Sequence, residues 1–128
     1  MGTILSVAAG GALGAVARYG AGSWIQQATR STFPWGTLVV NVTGSLALGF
    51  LVVWLREAAA SVELRAFVTV GVLGGYTTFS TFTYETVLMA QNGEWRRAGA
   101  YAFGSLALGL VAVVLGMAAA DALLGKPT

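Results

Sequence analysis

A chain of 128 residues that is 56% hydrophobic and 9% charged, with a mean hydropathy of +0.75, is an integral membrane protein; water-soluble domains carry roughly a quarter charged residues. Cysteine and histidine are both absent, which excludes disulfides, thiolate or imidazole metal sites, and nucleophile–histidine catalysis. The net charge of +2 is the balance of seven Lys/Arg and five Asp/Glu, and with no basic run there is no nucleic-acid surface to expect; with no nucleophile–base pair or metal cluster visible, no enzyme is expected either.

A spanning helix needs about 20 mostly apolar residues. Four segments qualify, at about 3–25, 35–55, 64–89 and 98–124, joined by short polar connections at 26–34, 56–63 and 90–97. They predict a single all-α transmembrane domain over 1–128. The tryptophans Trp24, Trp35, Trp54 and Trp95 fall at the expected helix ends, as an aromatic belt requires.

Helix one carries Gly10-x-x-x-Gly14, a spacing of small residues that lets helices approach closely and reads as packing. Arg18 lies well inside this segment. An unpaired cation there faces a bundle interior or water, or snorkels to the headgroups near Trp24; both readings stay open. Pro34 suits the first turn of helix two, where its missing N–H is no loss. Thr37 and Asn41 then share a face, and the Asn41 amide serves either as interhelical glue or as two N–H donors into a pore. Gly44-Ser-Leu-Ala-Leu-Gly49 recurs in helix four as Gly104-Ser-Leu-Ala-Leu-Gly109, which reads as similar packing of the two helices.

The third segment holds the most unusual stretch. Between Tyr76 and Thr86, eight of eleven residues carry a hydroxyl, just after Gly74-Gly75. Two successive glycines predict a break or wide turn, tolerated at membrane depth only where protein buries it or where it lines a cavity. Hydroxyls bonded back to the carbonyls of the preceding turn explain a few of these residues. Eight together point to a polar pathway or ion site. Phe79 and Phe82 share a face that continues to Glu85 and Thr86; aromatic ring edges carry partial positive charge that an anion can approach. Glu85, near the end of the segment, is expected in a vestibule or at the interface. In helix four Tyr101 and Ser105 share a face, and Asp121 lies near the end.

Topology signals cancel. One side holds Arg56, Arg65 and Lys126, the other Arg30, Arg96 and Arg97, so the positive-inside rule gives no preference. This predicts either a weakly specified single topology or insertion both ways with pairing as an antiparallel homodimer. Four short helices are few to enclose a polar path, which favours a two-fold assembly.

Three ordered motifs give the chain a likeness over nearly its whole length. They are Gly10-Gly11-x-x-Gly14-Ala15-x-x-Arg18-Tyr19, Gly36-Thr37-Leu38-x-Val40-Asn41-x-x-Gly44-Ser45, and Gly71-x-x-Gly74-Gly75-Tyr76-Thr77-Thr78-Phe79-Ser80-Thr81-Phe82 followed by Glu85. On these residues the chain resembles the CrcB/Fluc family of fluoride channels. The resemblance implies a passive, fluoride-selective channel in the cell (inner) membrane, built as an antiparallel dual-topology homodimer with two pores. It implies that Asn41, Phe79 and Phe82 line each pore, with Tyr101, Ser105, Ser80 and Thr81 nearby. It also implies a central structural Na⁺ on backbone carbonyls at the helix-three break, which maps to Gly74 and Thr77; Arg18, Thr37 and Glu85 remain vestibule or structural residues. Tyr76 departs from the phenylalanine common in the family, which leaves a backbone site intact.

The competing function is a small dual-topology, proton-coupled exporter of cationic compounds. That mechanism needs a membrane-embedded carboxylate, usually in helix one, where this chain has Arg18 and no acid. A non-transporting assembly subunit is the third reading, and the aligned set Asn41, Ser80, Thr81 and Ser105 would be gratuitous in it.

Overall fold

The computed structural model describes residues 1–125 and contains only helices and short links; Lys126 of the charge count lies outside the described residues. Helix α1 runs Gly2–Thr29 and stops at Arg30, whose left-handed backbone (φ 49°) turns the chain. It is longer than the expected 3–25 because the polar residues after Trp24 are helical. Gln26 ties down the link that follows: its Nε2 donates to the carbonyls of Ser31 and Phe33 at 2.6 and 3.0 Å, and its Oε1 accepts from Gly36 N–H at 3.1 Å. Helix α2 runs Trp35–Glu57. Pro34 caps it from just outside, its carbonyl accepting from Leu38 N–H at 3.1 Å.

The third segment is assembled from pieces. Ser61 caps the short α3 (Val62–Arg65), and a π-helical stretch, Ala66–Leu73, carries on to the single turn α4 (Gly74–Tyr76). Thr77 and Thr78 are extended, and α5 (Phe79–Gln91) resumes. The break therefore lies at Thr77–Thr78, after Gly74-Gly75, and both glycines are helical. Gly75 is small for a different reason: a Cβ there would press on the Gly11 carbonyl and the Ala15 amide of α1. After a turn at Gly93 (φ 80°), α6 runs Trp95–Leu123, so Trp95 opens it and the connection expected over 90–97 is largely helix.

Helices α1, α2 and α6 are each long and apolar enough to cross a membrane, while the third segment is interrupted. Much of the outer surface is hydrocarbon, with Val16 on α1 and Phe103, Leu106 and Val114 on α6 all well exposed. Inside, the helices meet backbone to backbone. Gly10 and Gly14 of α1 lie on the π-helical stretch, as their spacing predicts; a Cβ at Gly14 would overlap the Val72 carbonyl and the Tyr76 amide. Gly49 of α2 lies on the Val113 carbonyl, and Gly116 of α6 on the Leu46 carbonyl. These contacts, with Ser45 opposite Gly109, advance together along both sequences, so α2 and α6 run parallel. The repeated glycine motif does not pack alike in its two places: Gly44 and Gly49 are at tight contacts, whereas Gly104 faces open space.

Gly14→Val should lower stability by about 2 kcal/mol, the usual scale of overpacking. Gly104→Ala meets open space and should raise stability by about 0.5–1 kcal/mol, the usual gain of alanine over glycine inside a helix. Thermal unfolding in detergent micelles measures both; equal melting of the two variants would contradict the contact.

Candidate functional site

An opened helix exposes amides and carbonyls that hydrocarbon cannot satisfy. Asn41 of α2 answers at the break as a substitute peptide. Its Oδ1 accepts from Thr78 N–H at 2.7 Å and its Nδ2 donates to the Thr78 carbonyl at 3.0 Å. A primary amide has two N–H donors, so one is left over. Thr78 is buried and caps α5: its Oγ1 accepts from Thr81 N–H at 3.3 Å and donates to Thr81 Oγ1 at 3.0 Å. The Thr81 hydroxyl hydrogen is then free to point elsewhere.

These bonds have a second effect. An uninterrupted helix would send Thr78 N–H to the Gly74 carbonyl and Thr81 N–H to the Thr77 carbonyl. Both amides are diverted, to Asn41 Oδ1 and Thr78 Oγ1. The Gly74 and Thr77 carbonyls are left without those donors, on a glycine that is exposed and a threonine that is half-buried. Hard oxygen ligands of this kind fit a hard cation.

One helical turn from Asn41, Thr37 Oγ1 donates to Glu85 Oε1 at 2.8 Å, and Tyr101 of α6 donates to Glu85 Oε2 at 2.6 Å. Both carboxylate oxygens are thus engaged between α2 and α6. Glu85 sits inside this triad, half-buried. The Tyr101 hydroxyl is spent on it. Aromatic rings form a row alongside: Phe79 to Phe82 at 5.9 Å between centroids, Phe82 to Tyr101 at 5.1 Å, and Tyr101 to the edge-on Phe33 at 5.4 Å. Arg97, paired with Glu94 and bonded to Thr32 Oγ1, lies 5.8 Å over the Phe33 ring. Phe33 belongs to a connection, where sequence periodicity has no hold on it.

Two cavities meet at this construction. One, of about 700 Å³, is lined by Arg18, Ser23, Thr37, Thr78, Thr81 and Glu85, so Arg18 faces a polar hollow. The other, of about 400 Å³, is lined by Asn41, Ser45, Thr78, Phe79, Phe82 and Ser105 among others. Thr78 borders both. Ser105 Oγ is buried without a hydrogen-bond partner among the described residues. Phe82 is half-buried, whereas Phe79 is 77% exposed and Ser80 is also exposed. Thr77, Thr83 and Thr86 bond back to the carbonyls of Leu73, Ser80 and Phe82, so the simpler account of the hydroxyl run holds for these three.

Comparison with known proteins gives the family. A family model described as CrcB-like protein, Camphor Resistance (CrcB), matches residues 5–117. The chain belongs to the CrcB-like family. A relative from Thermus thermophilus named fluoride-specific ion channel FluC is 50% identical over 121 residues, covering 94% of this chain and 95% of that protein. Relatives of the same name from Rhizobium meliloti and a Roseiflexus species are 47% and 41% identical, over 92% and 94% of this chain and 95% and 98% of theirs. With its apolar helices, this CrcB-like chain is a multi-pass membrane protein.

Asn41→Ala strands the Thr78 amide and carbonyl, and each buried unsatisfied group costs about 1–3 kcal/mol. Amide exchange at Thr78 should therefore quicken by on the order of 30-fold, since 1.4 kcal/mol is about tenfold, with Asn41→Asp in between because it keeps only the acceptor. Unchanged exchange at Thr78 in the alanine variant would show that the bridge does not hold the break.

Proposed function

We propose that this chain is a fluoride-selective channel that lets F⁻ leave the cytoplasm passively through the cell (inner) membrane. The observation that carries the reading is a polar line between two cavities inside an apolar bundle, in a chain about 50% identical to a relative named as a fluoride channel. Fluoride is small, strongly hydrated and a good hydrogen-bond acceptor, so a route must replace its water with donors. Available donors are the second N–H of Asn41 and the hydroxyls of Thr81, Ser80 and Ser105, with the Phe79 and Phe82 ring edges beside them. Arg18 in the first cavity draws anions towards the entrance. Tyr101, engaged by Glu85, contributes its ring rather than its hydroxyl.

No pump is needed. Fluoride enters as neutral HF from acid surroundings and is trapped as the anion near neutrality, and an inside-negative potential drives it out by about 2.3 kcal/mol per 100 mV. The cation-exporter alternative lacks support: Glu85 has both oxygens occupied by hydroxyl donors.

The assembly we propose is an antiparallel homodimer with two pores. The balanced loop charges support it, as does the break, where one chain offers two carbonyls, Gly74 and Thr77, and a two-fold copy doubles them to four. The four carbonyls would hold a structural Na⁺, whose charge would fix the two breaks against each other.

Liposomes carrying the purified protein should lose fluoride rapidly and chloride not at all when followed with ion-selective electrodes; no fluoride loss from folded protein defeats the proposal. Phe82→Ile should cut fluoride flux at least tenfold with the dimer intact. Three lysines added to the 30–34 and 92–94 links should impose one topology and abolish dimers, and a fully active dimer from that variant would contradict dual insertion.

A further inference from the structure

Parallel packing places the facing residues of α2 and α6 in register, one turn per step of four. Thr37 and Tyr101 meet through Glu85. One turn on are Asn41 and Ser105, and one turn beyond are Ser45 and Gly109. The last four all border the 400 Å³ cavity, beside Phe79 and Phe82. A serine or threonine in a helix commonly bonds back to the carbonyl one turn earlier, as Thr43, Thr69 and Thr86 do here. Ser45 and Ser105 do not. Ser105 Oγ is buried and unpartnered among the described residues, and Ser45 makes no side-chain hydrogen bond there either. Opposite Ser45, α6 presents Gly109: a Cβ built on it would stand 3.8 Å from Ser45 Oγ, an ordinary contact. The α6 side of this level carries no hydroxyl, and the only one comes from α2.

A hydroxyl held out of its usual back-bond in a low-dielectric hollow is costly until something accepts its proton. Ser105 is that case, and the unbonded hydroxyl of half-buried Ser45 borders the same cavity one level on; with no basic side chain among the lining residues, the pair suits a small anion that has shed part of its water. We propose that Ser45 is a further fluoride-coordinating residue: with Ser105 it donates to F⁻ in the second cavity, one turn beyond Asn41 on the path. This rests on the channel reading above. Because the level has a hydroxyl on one helix only, its donor can be moved across the gap.

The test is fluoride efflux from liposomes carrying the wild-type protein, Ser45→Ala, Gly109→Ser and the double variant, with thermal unfolding of each. Ser45→Ala should reduce efflux about tenfold with unchanged melting, and adding Gly109→Ser to it should restore at least half of the wild-type rate. Normal efflux in Ser45→Ala overturns the assignment. A slow Ser45→Ala that Gly109→Ser fails to restore, or that melts early in step with its loss of flux, assigns Ser45 to packing and overturns it as well. Absence of efflux from the wild type would remove the channel reading itself, a result distinct from either.

Discussion

Hydrocarbon offers a peptide group no partner, so every bond of an opened helix has to be found within the protein. At Thr77–Thr78 the chain meets that demand with one side chain from α2 and one from the break itself. Asn41 supplies both an acceptor and a donor to Thr78, and Thr78 caps the helix that follows. Remove this pair and the interruption has no means of existing at membrane depth. Because it exists, the Gly74 and Thr77 carbonyls lose their helical donors, Thr81 keeps its hydroxyl hydrogen free, and two cavities come to share a wall at Thr78. The polar chemistry of the protein and the repair of its backbone use the same few residues.

Close glycine contacts draw the rest of the bundle together around that point. Gly10 and Gly14 bring α1 onto the π-helical stretch, and Gly49 and Gly116 bring α2 onto α6. The parallel α2–α6 pair then sets its polar residues at successive levels, with Glu85 bridging the first of them through both oxygens. The Glu85 carboxylate is held by two hydroxyl donors, and Arg18 lines the same cavity. The site thereby has no free acid, which suits passage of a small anion better than proton exchange.

Several of these relations could be read from residue order because they depend on local spacing. The Gly10/Gly14 face, the shared faces of Thr37 with Asn41 and of Tyr101 with Ser105, and an interruption in the third segment all follow from a 3.6-residue period and from the poor helix propensity of glycine. The position of the break did not follow. Gly74-Gly75 looks like the weak point, yet Gly75 answers to the proximity of Gly11 and Ala15, and the helix opens where Asn41 can bridge it. Glu85 was expected in a vestibule or at the interface, and it borders the cavity that Arg18 also lines; its partners Thr37 and Tyr101 could not be read from its own segment. Gln26 and Phe33, which bind and close the first link, lie in a stretch with no periodicity to follow.

Composition and order by themselves determined a helical membrane protein, its apolar segments, its balanced loop charges and the polar run in the third segment, because hydrophobicity and helical period are properties of neighbouring residues. Only the tertiary structure decided which hydroxyls are consumed by their own helix and which face a cavity, and where the helix opens. Those outcomes depend on partners far apart in sequence, Asn41 with Thr78 and Thr37 with Glu85 and Tyr101. No local rule pairs such groups until packing has brought their helices together.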